Sequence, residues 1–226
     1  MKIAVLTGAG MSAVSGLKTF RDSNGLWEGH DVMEVASPEG FYNYPQLFLD
    51  FYNQRIKQLL EVTPNEAHFA LANLEKDYEV VIITQNVDDL HERAGSSHVV
   101  HLHGELLKVR STYDANNILD WRSDLNMGDL CEQQHQLRPH IVWFGESVPL
   151  MEVAIRLVEK SDIVIIVGTS MQVYPAAALI QYTSSTSKIY FVDPKPSIGS
   201  SDKITVFAEN ATKGVPLVIE SIRKLY

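Results

Sequence analysis

One cysteine, Cys131, stands in 226 residues. A lone thiol excludes an internal disulfide and any metal site built from four cysteines. Long hydrophobic runs are missing too. Only the four apolar residues 3–6 separate Met1 and Lys2 from Thr7, too few for a signal-peptide core, and no later run approaches a membrane span. The expectation is a cytoplasmic protein with no membrane partner. Basic charge is also in deficit: 19 Lys and Arg against 28 Asp and Glu give a formal net charge of −9. That argues against nonspecific nucleic-acid binding and does not exclude basic peptides as substrates. No internal repeat, low-complexity tract or linker interrupts the chain.

A further absence narrows the chemistry. The apolar run 3–6 leads directly into Thr7-Gly8-Ala9-Gly10-Met11-Ser12, a turn whose backbone N–H groups can approach a pyrophosphate at a helix N-terminus. Gly8 to Ala13 fits G-x-G-x-x-G/A, a pattern that also serves as a plain strand-to-helix turn. A hydride-transfer enzyme would follow it with a second strand and an acidic ribose ligand about twenty residues on. Residues 21–40 are instead a polar, glycine-punctuated loop, which disfavours a standard dehydrogenase.

With 45% hydrophobic and 21% charged residues, the chain can bury one sizeable core, or a large domain carrying a small insert. Strands are predicted at 3–6, 80–84, 99–102, 163–167, 189–193 and 204–207, mostly continuous apolar runs of the kind buried on both faces. Helices are predicted at 12–16, 45–60, 65–76, 87–94, 150–160, 175–183 and 216–224, several opening on proline or after a turn residue. The alternation points to a Rossmann-like, doubly wound α/β fold with a parallel sheet. Residues 28–60 and 104–138 break it and are expected to form a small helical and loop domain. The large part then takes residues 1–27, 61–103 and 139–226.

Two further segments carry polar chemistry. Gln85-Asn86-Val87-Asp88 follows the strand at 80–84, and His101-Leu102-His103-Gly104 comes shortly after. Asn86 and Asp88 alternate, so both can face one cavity at the carboxyl end of a strand, where α/β sheets place ligands. Capping of the next helix is the competing reading and is compatible with the first. An imidazole titrates near neutral pH, so His103 is a candidate base, with a satisfied structural histidine as the alternative. His101 is assigned the structural role.

Together, Gly8-Ala9-Gly10-Met11-Ser12, Thr19-Phe20-Arg21-Asp22, Gln85-Asn86-Val87-Asp88, His103-Gly104, Val142-Trp143-Phe144-Gly145-Glu146 and Gly168-Thr169-Ser170 resemble the sirtuins, NAD-dependent protein-lysine deacylases. The resemblance runs in order from residue 3 to about residue 215. It implies an enzyme that breaks the nicotinamide–ribose bond of NAD, traps the cation-like ribose carbon with the acyl oxygen of a modified lysine, and transfers the acyl group to ADP-ribose. In that scheme His103 is the general base acting through the ribose hydroxyls. Asn86 orients the ribose or a water, Gln85 lies on the ribose side, and Asp88 accepts from the nicotinamide carboxamide. Gly8, Ala9, Gly10 and Ser12 line the cofactor, Phe20 screens the reactive carbon and Arg21 lies near phosphate. Gly168, Thr169 and Ser170 surround the adenosine half. Asp193, where many members carry asparagine, accepts from ribose hydroxyls or is simply a proline-flanked turn residue.

The resemblance extends to the acyl-lysine. Leu90, Val142 and Phe144 would form an apolar tunnel for the lysine stem, and Gly145 and Glu146 would present backbone to an extended peptide; core packing is the plainer account of these residues. Tyr52 and Arg55 stand three apart on a helix and share a face, matching the Tyr-x-x-Arg element of sirtuins that remove succinyl and malonyl groups. A solvated amphipathic helix would read the same way. The family commonly binds structural zinc through four cysteines in the stretch corresponding to residues 104–138. Only Cys131 is present there, with His135, Asp120 and Asp124 nearby, so no zinc is expected and the insert must be held by packing around Trp121 and Leu119. The expected partners are acylated lysines in proteins or peptides, with no nucleic acid. No coiled-coil or interface signature fixes the oligomeric state, and a monomer is compatible with the sequence. Two other functions stay open: mono-ADP-ribosyl transfer or NAD hydrolysis, and a noncatalytic NAD or ADP-ribose sensor.

Overall fold

The computed structural model describes residues 1–18, 26–27, 29–171 and 173–225. The chain opens with β1 (Lys2–Thr7), α1 (Ala9–Ala13), a short hairpin of β2 (Leu26–Trp27) and β3 (His30–Asp31), then α2 (Val32–Val35), α3 (Pro38–Asn43), α4 (Pro45–Glu61) and α5 (Glu66–Leu74). The middle holds β4 (Glu79–Thr84), α6 (Leu90–Arg93), β5 (Val99–His101), β6 (Gly104–Ser111), β7 (Ile118–Asp120) and β8 (Leu137–Ile141). It closes with α7 (Met151–Glu159), β9 (Ile163–Val167), a 3-10 helix (Ala176–Tyr182), β10 (Lys188–Val192), β11 (Ile204–Phe207) and α8 (Ala211–Leu225).

Six of these strands form one parallel sheet in the order β11-β10-β9-β1-β4-β5. The continuous apolar runs have their reason in the two covered faces. Ile3 and Val5 pack into the core under α5 and α8, whereas Ala4 and Leu6 pack into the core under α7 and the 3-10 helix. A strand buried on both sides has no polar face to alternate with. β1 is central, and the chain winds away from it in both directions, through β4 on one side and β9 on the other. Such a switch in winding opens a crevice at the carboxyl ends of the strands.

Several helix boundaries differ from expectation. α1 starts at Ala9 rather than residue 12, because Gly8 already takes the extended conformation of an N-cap. α6 spans only Leu90–Arg93, since the Asp88 carboxylate accepts from the Leu90 N–H and holds the preceding residues in a turn. α8 begins five residues before Pro216. Asn210 starts it by accepting the N–H groups of Lys213 and Gly214 on its carbonyl, so the proline falls inside the helix at the loss of one backbone bond.

The largest correction concerns residues 104–138, expected as helix and loop. They belong to a three-stranded antiparallel sheet, β7-β6-β8. β6 pairs with residues about thirty positions away, Val109 with Pro139 and Ser111 with Leu137, and the ladder shifts register between Gly104 and Val109. The three residues of β7 are all exposed, so they carry no alternation for a periodicity reading to find. The insert packs on α4 through Leu49, Val109, Leu125, Cys131 and Leu137, with Trp121 against them. Leu119 is 41% exposed and takes no part. No described helix is long and apolar enough to cross a membrane.

Candidate active site

Sheet register brings the motifs together. Thr7 lies opposite Thr84 on one side and Val167 on the other, and Thr84 lies opposite His101. The four strands therefore end level, and the segments beginning at Gly8, Gln85, Leu102 and Gly168 all emerge at one edge. Between them and the insert lies a cavity of about 910 Å³, within the size range of ligand clefts.

The two glycine turns interlock. Gly8 N–H donates to Val167 O (3.0 Å) and Gly10 N–H to Gly168 O (2.8 Å). A Cβ on Gly10 would sit 2.7 Å from Gly168 Cα, and Gly168 itself has φ +62°, a conformation that L side chains rarely adopt. Gly8, Ala9 and Ser12 line the cavity, as do Gly168, Thr169 and Ser170. Gly10 is not among the lining residues; it supplies the close approach of the two backbones.

A chain of polar side chains crosses the crevice floor. Asn86 Nδ2 donates to Gly8 O and to Ser12 Oγ, both at 3.1 Å, and Ser12 Oγ donates to Asp88 Oδ2 at 2.8 Å. Asn86 and Asp88 thus share one cavity, and Asp88 also caps the turn into α6. Burial pushes the Asp88 carboxyl above its ordinary value, against the opposing bonds from Ser12 and Leu90. Gln85 bridges to Thr169 Oγ1 at 3.3 Å.

His103 lines the same cavity, its Nδ1 3.0 Å from Gln85 O. A carbonyl can only accept, so Nδ1 carries the proton and Nε2 keeps a lone pair. Burial lowers the imidazole pKa, opposed by the Gln85 bond, which keeps the ring neutral at pH 7. His101 is a different histidine. β5 ends at His101, so the alternation that would put both rings on one face stops there. Its Nε2 lies 2.7 Å from Glu92 Oε1, and although burial lowers its pKa, the Glu92 carboxylate outweighs that and raises it.

The opposite wall comes from α4 and from the segment after β8. Tyr52, Arg55, Val142, Phe144, Gly145 and Glu146 all line the cavity. Leu90 does not: it is fully buried against α4 and Trp143 in the insert-side core, so its expected place in a lysine tunnel is corrected to packing. Asp193 is likewise absent from the lining. It is 2% exposed, and its Oδ1 accepts from Lys195 N–H at 2.9 Å, the turn geometry of the alternative reading. Phe20 and Arg21 lie outside the described residues.

One residue of this wall, Trp143, and one packed behind it, Arg138, escaped the sequence reading. Arg138 is 9% exposed; it forks onto Glu146 at 2.7 and 3.0 Å and stacks 3.1 Å from the Trp143 ring centroid. Glu146 Oε2 also accepts from Trp143 N–H at 2.9 Å, so the Glu146 side chain clamps the 142–146 turn. Its backbone N–H is engaged too, donating to Trp143 O at 3.0 Å. Burial would raise the Glu146 pKa, but Arg138 and the Trp143 N–H hold it below the usual value. Nothing local marked Arg138. Trp143 sat inside the quoted run with no role assigned to it.

A model of the Sir2 family matches residues 8–175. The chain belongs to the Sir2 family. A relative from Helicobacter pylori (strain ATCC 700392 / 26695), named "NAD-dependent protein deacylase", is 63% identical over 193 residues, 85% of this chain and 84% of its own length. A protein of the same name from Bacteroides thetaiotaomicron is 53% identical over 220 residues, covering 94% of both chains. Among solved structures, a Sir2 homologue in complex with NAD aligns with a TM-score of 0.88 at 37% identity, over 99% of this chain and 90% of the other.

The family's groups can be tested against the residues. NAD fits: glycine turns leave room for a backbone-hugging ligand, and Asn86, Asp88 and His103 converge on one crevice beside them. Zinc does not fit. The buried Cys131 thiol lies 3.5 Å from Ser111 Oγ, His135 stacks on Tyr113, and Asp124 pairs with Lys57 at 2.9 Å. Among the described residues no three His, Cys, Asp or Glu side chains cluster to hold a metal.

Proposed function

We propose that this Sir2-family chain is an NAD-dependent protein-lysine deacylase acting in the cytoplasm, with dicarboxylic acyl groups such as succinyl as its preferred cargo. Overall, acyl-lysine, NAD and water give lysine, nicotinamide and acyl-ADP-ribose. NAD supplies the ADP-ribosyl group, with nicotinamide as the group that leaves. The observation carrying the reading is the His103 imidazole, neutral, bonded through Nδ1 to Gln85 O and lining the cavity with Asn86 and Asp88.

His103 Nε2 then takes the proton of a ribose hydroxyl as that oxygen accepts the acyl group. Asn86 and Ser12 fix the ribose end, and the Asp88 carboxylate accepts from the nicotinamide amide. Val142 and Phe144 cover the lysine stem and keep stray water from the reacting carbon. Arg55 offers a planar cationic fork and Tyr52 a hydroxyl to the distal carboxylate. The relatives' names support the general activity, and the two α4 residues on the cavity wall support the acyl class.

The test incubates the protein with NAD and matched succinyl-lysine and acetyl-lysine peptides, following nicotinamide and acyl-ADP-ribose by mass spectrometry. His103→Ala should lower turnover of both by about 10²- to 10⁴-fold, the usual worth of a positioned base. Arg55→Met should lower the succinyl-to-acetyl ratio of kcat/KM by about tenfold or more. Acetyl preference in the unaltered protein would sink the acyl assignment and spare the deacylase; nicotinamide release without peptide turnover would favour ADP-ribosyl transfer or NAD hydrolysis.

A further inference from the structure

Two buried polar atoms on the cavity wall have no hydrogen-bond partner, Tyr52 Oη and Trp143 Nε1. Tyr52 is 1% exposed and Trp143 3%, and both residues line the cavity. Burial pushes the Tyr52 pKa up and the neighbouring Trp143 N–H opposes it, yet the pair does not meet hydrogen-bond geometry. Native structures rarely leave a buried donor unsatisfied, because it forfeits its bond to water. An indole N–H only donates, so whatever completes this site must bring an acceptor.

The ring is also held in place. The Arg138 guanidinium covers one face at 3.1 Å from the ring centroid, Phe48 packs edge-on at 4.7 Å, Phe41 lies at 5.4 Å, and the Trp143 backbone N–H is fixed by Glu146 Oε2. A donor immobilised before the ligand arrives loses little entropy on binding. We propose that Trp143 is a specificity-determining residue whose indole N–H donates to the distal carboxylate of a dicarboxylic acyl-lysine, beside Tyr52 and Arg55. The inference rests on the acyl class proposed above and adds a third donor to it. A carboxylate offers about four lone-pair sites, enough for three donors. An acetyl group ends in a methyl and brings no acceptor to the Trp143 N–H, and sites built around hydrogen bonds reject such analogues strongly.

Trp143→Phe keeps an aromatic ring and removes the N–H. It should lower the succinyl-to-acetyl ratio of kcat/KM by about tenfold or more, as expected for a bond to a charged group. In the unaltered protein, ¹⁵N-indole NMR distinguishes Trp27, Trp121 and Trp143, and the Trp143 indole N–H should move downfield on adding succinyl-lysine peptide; acetyl-lysine peptide should not move it downfield. That spectrum decides the matter even where Trp143→Phe folds poorly. Equal losses on both peptides, or a silent Trp143 resonance, would make the residue a wall only. If Tyr52→Phe and Arg55→Met abolish succinyl preference while Trp143→Phe retains it, this inference fails and the acyl class stands. Acetyl preference in the unaltered protein would overturn both.

Discussion

Asn53 ties α4 to the insert. It lies on α4, next to Tyr52, and is 5% exposed. Its Nδ2 donates to Leu125 O at 3.0 Å while its Oδ1 accepts from Leu125 N–H at 2.8 Å, so one side-chain amide pairs with both backbone groups of a single buried residue in the insert. Asn53→Ala strands that N–H and C=O together. Each orphaned group costs about 1–3 kcal/mol, and partial rescue by water brings the expected total to about 2–4 kcal/mol. For a chain of this size each kcal/mol is worth about 2–4 °C, so the melting temperature should fall by about 5–10 °C. Asn53→Asp should lose more, because it keeps the acceptor but sets a buried carboxylate oxygen against Leu125 O. Circular dichroism melts with and without a strong chelator make the assay, the chelator leaving the unaltered protein unchanged. A fall of less than about 2 °C in Asn53→Ala, or a chelator effect as large as the mutation, would refute the reasoning.

Acid should weaken the fold through two other buried side chains. His68 and His91 stack edge to face at 4.8 Å under the glycine turn; burial lowers the His68 pKa to about 4 and takes His91 well below its ordinary value. Both are neutral when folded, so the unfolded chain binds more protons as pH drops. Their contribution is complete above about pH 6.5 and shrinks toward pH 4, by about 3 kcal/mol for His68. Urea unfolding free energies that stay flat from pH 7 to pH 4.5 would contradict this, and His68→Gln should reduce the slope. In the 142–146 turn, Glu146→Gln leaves the Arg138 guanidinium buried without its carboxylate and should cost on the order of 3 kcal/mol. Arg138→Met added to it should restore at least half; equal losses in the single and double variants would show that the pair is uncoupled.

Legibility from sequence followed the range of the physics involved. The strands of the parallel sheet read clearly because burial on both faces writes itself as unbroken apolar runs such as Ile163–Val167. The glycine turns were legible because Gly168 must take a positive φ. The antiparallel sheet was not, since its partners are far apart in sequence and β7 buries nothing. Leu90 departed from expectation for a related reason: a residue beside a motif is near the site in sequence, while its side chain answers to the nearest core. Trp143 carried no role in the sequence reading, and it packs in the insert-side core. Only the tertiary structure shows that it also lines the cavity.

The sequence by itself carried the alternating α/β architecture and the motifs that resemble the sirtuins, and through that resemblance it put His103, Asn86, Asp88, Tyr52 and Arg55 forward as candidates, because hydrophobicity, turn chemistry and motif order are local. Tertiary structure alone decided how they meet. The register that sets Thr7 level with Thr84 and Val167 is a property of pairing between distant strands. The same holds for the amide of Asn53 reaching Leu125 and for the partnerless N–H of Trp143. Which polar groups are satisfied depends on atoms many residues away, and that is settled only when the chain has packed.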